Sequence, residues 1–354
     1  MSIYLDLGRA GAALVVLVGH AGQLGLLGAA WPFDDTFQHS AVIFFFVLSG
    51  LMIQQSASRP NQTLATYAKA RMARIVPVAL FSLLLSTGTF LLLVRAGLHV
   101  ADETRYNHLS ASTIMMPLIF VSERLDGVGP PLNPPFWSLC YEVWFYTTFG
   151  LYSFSRGPIR IVSIALAIVA ADGLVWLLMP AWLIGVALGK RGNDVRITHP
   201  RCTFAVSITL FAFSQWSGLP HTVAEPSNSL DFNFMQLRFS SYFITDTIGA
   251  VFIGCALAAL RHISGDLHRW QAIAKGFAGI TFTLYLTHWP LLIAIQTLTH
   301  SGSTILRASC AIFLPIAVAI LLAPLLEVRL PRLFRGQSMA ILSSRGLQRQ
   351  VFTR

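Results

Sequence analysis

Read from its amino terminus, the chain is a succession of apolar runs separated by short polar breaks. Runs long enough to span a bilayer, or nearly so, fall near 9–30, 40–55, 75–95, 136–152, 159–172, 173–189, 202–217, 242–260, 277–299 and 304–326. The pattern predicts an all-α polytopic membrane bundle of about ten transmembrane helices. Only Asp172-Gly173 punctuates the stretch between 159 and 189. Two longer polar segments, 96–134 and 218–241, read as loops on one side of the membrane. The pattern divides the chain into a transmembrane domain, 1–330, and a basic cytoplasmic tail, 331–354, held by anionic headgroups. No internal repeat is visible.

Composition sharpens this picture. Of 354 residues 55% are hydrophobic and only 11% charged, against about 25% charged in soluble domains. The net charge of +10 points first to nucleic acid, but its distribution does not. With the amino terminus placed in the cytoplasm and the runs alternating, only Arg95, Arg105, Arg124, Arg238 and Arg307 fall on the far side. The other twenty of the 25 Lys and Arg fall on the cytoplasmic side. This positive-inside bias places both termini in the cytoplasm and makes membrane lipids, not nucleic acid, the partners of the basic residues. Cys140, Cys202, Cys255 and Cys310 lie far apart with no metal-ligand spacing, so neither disulfide nor metal is expected. The first run carries His20 and follows Asp6 and Arg9, and reads as an uncleaved helix rather than a signal peptide.

Ionisable residues inside apolar runs are costly, so they mark the candidate chemistry. His20 follows Arg9 by eleven residues across an unbroken apolar stretch, about 16 Å along a helix. That is close to the reach of an extended pantetheine arm. A neutral imidazole there either takes a proton from a hydroxyl or simply hydrogen-bonds a neighbouring helix. Asp6 and Arg9, at i and i+3, share a face. Arg71 and Arg74 also share one, and either chelate phosphate or supply ordinary positive-inside charge. In Asn133-Pro134-Pro135-Phe136-Trp137-Ser138-Leu139-Cys140-Tyr141-Glu142 the prolines suit a helix start. Ser138 and Glu142 lie on one face, and the carboxylate needs a partner: an imidazole, an arginine or a proton relay. The aromatic stripe Trp137, Tyr141 and either Trp144 or Phe145 reads as an interface belt rather than a binding wall. Tyr285 and His288 share a face above Pro290, which frees a backbone carbonyl about a turn earlier. Ser49-Gly50 permits either close helix approach or a bend beside a ligand, and Asp246 receives no role.

Together these segments resemble the acyltransferase 3 family, membrane acyltransferases that modify bacterial surface polysaccharides and related molecules. Five ordered blocks carry the resemblance: Leu5-Asp6-Leu7-Gly8-Arg9 with His20; Phe45-Phe46-Val47-Leu48-Ser49-Gly50; Arg71-Met72-Ala73-Arg74-Ile75-Val76-Pro77; Trp137-Ser138-Leu139 with Glu142; and Tyr285-Leu286-Thr287-His288-Trp289-Pro290. The resemblance implies ten core helices and a catalytic His20, with Glu142 acting beside it. It implies that Arg71 and Arg74 recognise acyl-CoA; Arg9 is expected to join them in holding the CoA phosphates, and Trp137, Ser138, Tyr285 and His288 to contact substrate. Departures are Ala10, where relatives often carry Gly, and Thr287, where they often carry Trp. Some relatives add a soluble hydrolase-like domain, for which this chain leaves no room.

The expectation is therefore a multi-pass O-acyltransferase of the bacterial inner membrane. Acyl-CoA, acetyl-CoA in the simplest case, is the donor, and a carbohydrate or lipid-linked glycan the acceptor. Transfer is either direct, with His20 as base, or through an acyl-histidine. The competing class is a transporter or flippase of a glycan or amphiphile, against which the missing repeat counts.

Overall fold

The architecture comes from a computed structural model that describes residues 2–28, 35–98, 106–122, 128–171, 173–191, 194–229, 237–263 and 268–335. Among these residues every regular element is helical. The long helices are α1 (Ser2–Gln23), α2 (Asp35–Ala57) and α3 (Leu64–Arg95), followed after the short α4 (Ala111–Leu118) by α5 (Phe136–Phe154). Next come α6 (Gly157–Ala170), α7 (Met179–Arg191), α8 (Pro200–Trp216), α9 (Leu219–Ser229) and α10 (Phe243–Leu260). The carboxy-terminal part holds α11 (Gln271–Ala278), α12 (Thr281–Leu298), α13 (Thr304–Ala323), a π-helical turn at Pro324–Arg329 and α14 (Leu330–Phe334). Residues 336–354, most of the expected tail, and Asp172 lie outside the described residues.

Each of the ten apolar runs contains a helix, but not each helix is long enough to span. Five qualify on length and composition: Ile3–Gln23, Thr36–Ala57, Leu64–Arg95, Phe243–Leu260 and Thr304–Phe334. A sixth is Gln271–Ala278 joined to Thr281–Leu298 across a 51° bend. The helices α6, α7 and α8 have 14, 13 and 17 residues, which reach about 20–26 Å against a hydrocarbon core of about 30 Å. The protein is a multi-pass helical membrane protein, and α6 shows why apolar runs overcount spans. It exposes Ile159, Ile161, Val162, Leu166 and Val169, so it presents a broad apolar surface yet is short.

The tightest packing is between α2 and α7. A Cβ on Gly185 would sit 1.8 Å from the Val47 carbonyl oxygen, and one on Gly50 would sit 2.2 Å from that of Trp182. Only glycine lets the two backbones approach this closely. The close-approach reading of Ser49-Gly50 therefore holds, and Ser49 is carried into the interior with it. The helix α5 corrects the interface-belt reading: Trp137, Tyr141 and Phe145 are buried. They pack on Phe46, Trp182 and Phe239 inside the bundle.

Pro290 behaves as its chemistry dictates. It cannot donate to the Leu286 carbonyl, and that oxygen instead accepts from Ser82 Oγ at 2.6 Å and Asn133 Nδ2 at 3.1 Å. Asn133 also donates to Ser82 at 2.8 Å. One buried knot thus ties α3, the start of α5 and the middle of α12, so a missing hydrogen bond becomes a three-helix anchor.

Candidate active site

Two cavities lie along α1, one beside Arg9 and the other beside His20. They share Val42 and Tyr285 as lining residues. The first, of about 100 Å³, is lined by Arg9, Arg71, Arg74, Ser138 and Glu142, with Ser49 and Tyr146. No arginine there reaches a carboxylate within 4 Å; the ion pair formed among the described residues is His39–Asp246, elsewhere. Arg9 forms no ion pair with Asp6 within 4 Å, and its Nη2 donates to Thr281 Oγ1 at 3.5 Å. Arg71 Nε is buried without a partner. Three guanidinium groups meeting without an ion-paired counter-ion favour an anionic ligand.

Glu142 finds its partner one turn along its own helix, from Tyr146. The line continues into the interior: Trp182 Nε1 donates to Ser49 Oγ at 3.2 Å, and Ser49 and Tyr146 hydroxyls meet at 2.8 Å. The carboxylate can only accept, so Tyr146 donates to it and Ser49 donates to Tyr146. Each group in the line then has one direction. Sequence reading offered Glu142 an imidazole, an arginine or a relay; the structure gives it a tyrosine and a place beside the arginines. Glu327, unassigned from sequence, holds the start of α12 by accepting from the Thr283 N–H at 3.0 Å and its hydroxyl at 2.7 Å. It sits in the π-helical turn, a distortion frequent at functional sites.

The second cavity, of about 360 Å³, is lined by His20, Gln23, Gln38, His39, Trp137 and Trp289, among others. His20 Nδ1 lies 2.7 Å from His288 Nε2 with the two rings 3° from coplanar. His288 Nδ1 faces two backbone carbonyls, Tyr285 at 2.7 Å and Leu284 at 3.2 Å. Carbonyls only accept, so Nδ1 carries the proton. In the neutral His288 ring Nε2 then accepts, His20 Nδ1 donates, and the free lone pair of His20 falls on Nε2. His288, fully buried, lines neither cavity. It stands behind His20 and sets its tautomer. Tyr285 hydrogen-bonds Ser138 at 2.7 Å between the two cavities.

The structure therefore joins Arg9, Arg71, Arg74, Ser138 and Glu142 in one cavity and His20 with Trp137 in the other, and places Tyr285 at both. Sequence reasoning missed the second cavity's pair: His39 Nε2 lies 2.9 Å from Asp246 Oδ2, the residue left without a role. Nothing local foretells a pair 207 positions apart.

A family model for an acyltransferase domain matches residues 2–324, from α1 through the last full helix. The chain belongs to the acyltransferase 3 family. No curated protein and no solved structure matches it. Membership of this family of membrane acyltransferases makes acyl transfer the chemistry for which the two cavities must account.

Proposed function

We propose that the protein is an O-acyltransferase moving an acyl group, acetyl in the simplest case, from acyl-CoA to a hydroxyl of a carbohydrate or lipid-linked glycan. The observation that carries this reading is the one-directional line from the Tyr285 carbonyl through His288 to His20. It leaves a lone pair on Nε2 at a cavity whose neighbour is built of arginines.

Arg71, Arg74 and Arg9 hold the donor's phosphates, and Glu142, fixed by Tyr146, balances their charge. A cavity of about 100 Å³ takes the thioester arm rather than a whole CoA, so the nucleotide end stays at the exposed Arg74. The arm extends along α1 past Tyr285 and brings the thioester carbonyl to His20. Nε2 removes the hydroxyl proton as the acceptor oxygen attacks that carbonyl. The tetrahedral adduct collapses by breaking the C–S bond, and the imidazolium returns its proton to the departing thiolate. Ester and free thiol are the products. The cytoplasm supplies the donor, and the opposite face of a bacterial inner membrane presents the acceptor.

The test is thiol release from acetyl-CoA by purified protein in nanodiscs. His20→Ala should retain acetyl-CoA binding and lose turnover by about 10²-fold or more. Turnover at the wild-type rate in that variant would sink the proposal, and absence of any acetyl-CoA binding would turn the reading to a transporter.

A further inference from the structure

The broken span of α11 and α12 poses a problem that is solved from outside it. The helix α12 restarts at Thr281 after a 51° bend, and Ile280 before it has no side-chain oxygen to cap the new helix. The first N–H groups of a helix lack intrahelical partners, and within a membrane bundle water is not at hand to replace them. Glu327 supplies the cap in trans. One carboxylate oxygen accepts from the Thr283 N–H at 3.0 Å and from the Thr283 hydroxyl at 2.7 Å. A carboxylate at a helix N-terminus is favoured by the helix dipole as well. The π-helical turn presents it: the adjacent residues Leu326 and Glu327 are buried and half-buried, while Leu325 and Val328 on either side are exposed.

What the cap holds is one face of α12. Thr281, Tyr285 and His288, at i, i+4 and i+7, share that face. Thr281 Oγ1 accepts from Arg9 Nη2 at 3.5 Å and donates to the Ala278 carbonyl at 3.0 Å. It therefore links Arg9, the end of α11 and the start of α12. Thr281, Phe282 and Tyr285 line the arginine cavity, and Glu327 stands behind them without lining it. Farther along, Ser82 and Asn133 hold the helix independently at Leu286. The influence of the cap is thus concentrated on the first turn, where Arg9 is met.

We infer that Glu327 is a positioning residue for the donor: by capping α12 it fixes Thr281, and through Thr281 it holds Arg9 where the phosphates of acyl-CoA arrive. This rests on the arginine cavity being the donor site. The sign of the effect separates positioning from plain electrostatics. Arg74 and Arg9 lie within electrostatic reach of Glu327, so a role through charge alone makes any neutral substitution tighten the binding of an anion. Positioning makes binding weaker when the accepting oxygen is lost, and spares it when only the charge is.

The experiment is titration calorimetry of acetyl-CoA against the full chain in nanodiscs, with thiol release and thermal midpoint read on the same samples. Glu327→Gln keeps an oxygen that accepts both hydrogen bonds, and should bind acetyl-CoA at least as tightly as wild type. Glu327→Leu leaves the Thr283 N–H unanswered. It should weaken binding about tenfold, with thiol release at saturating acetyl-CoA within about twofold of wild type. Thr283→Val removes only the hydroxyl bond and should weaken binding about threefold. In a Thr281→Val background Glu327→Leu should add little, since both act through one contact. Unchanged or tighter binding by Glu327→Leu would overturn the inference, as would equal weakening by Glu327→Gln. If Glu327→Leu does not fold, Thr283→Val decides, and wild-type affinity in that variant overturns it. Failure of the underlying reading looks different: the wild type itself would then bind no acetyl-CoA.

Discussion

The two cavities on either side of Tyr285 pose different electrostatic problems. In one, Arg9, Arg71 and Arg74 converge while the nearest carboxylates, Glu142 and Glu327, are committed to Tyr146 and Thr283. In the other, His39 is paired with Asp246, Arg238 is the single arginine of the wall, and the buried unpartnered atoms, Gln38 Oε1 and Trp289 Nε1, are uncharged. A cavity where three arginines converge selects by charge and is sensitive to salt; one whose unpartnered groups are uncharged selects more by shape and hydrogen bonding. The contrast teaches that donor and acceptor chemistry can be told apart before either ligand is known. His288, outside both cavities, then belongs to the step that joins them.

That separation can be broken by kinetics. The largest effect is expected at His288. His288→Leu removes the acceptor for the His20 Nδ1–H and frees the wrong tautomer, so kcat should fall by about 10²-fold or more. Donor and acceptor KM should both stay near wild type, and His288→Gln, whose carboxamide oxygen can still accept, should recover part of the rate. A His288→Leu variant that changed either KM and spared kcat would place that residue in a cavity wall and undo the division. A smaller effect is expected from Arg71→Ala with Arg74→Ala: acetyl-CoA affinity weakened by about 10- to 100-fold through lost charge-assisted hydrogen bonds. The salt dependence of binding should flatten as well, since fewer charges remain to be screened. Titration calorimetry at two ionic strengths checks both. If acceptor KM moved instead, the assignment of the two cavities would be reversed.

What the sequence revealed divides along the same line. Arg71 with Arg74, and Ser138 with Glu142, are legible because helical spacing alone puts each pair on one face. His20 is legible because an imidazole in an apolar run needs a reason. His39 with Asp246, and Gln38 with Gly19, are invisible: each pair is made by packing between helices, which periodicity does not encode. The aromatic stripe of α5 misled for a related reason. Composition cannot say whether Trp137 meets lipid or Phe239, and burial decides for the latter. Hydropathy likewise found the long apolar helices but not which ones reach across, because α6, α7 and α8 are apolar and short, and it missed α4 and α9, which lie in the two segments read as loops.

The smallest predicted effect probes the scaffold that keeps the two cavities in register. Leu286 O, freed by Pro290, accepts from both Ser82 and Asn133. Ser82→Ala deletes one of these bonds and the Ser82–Asn133 link but leaves Asn133 on the carbonyl, so the group is not orphaned. The cost should be about 1 kcal/mol, that of an ordinary buried hydrogen bond. It should appear as a modest fall in thermal midpoint with kcat and both KM values unchanged. Asn133→Leu alongside it removes the last donor and leaves a buried carbonyl unpaired, about 1–3 kcal/mol more. Because this knot lies on α12 two residues before His288 and directly after Tyr285, the double variant should lower kcat as well as stability. A stability loss with kcat intact would show that α12 holds the tautomer line without its anchor, through packing around Leu286 and Trp289 alone.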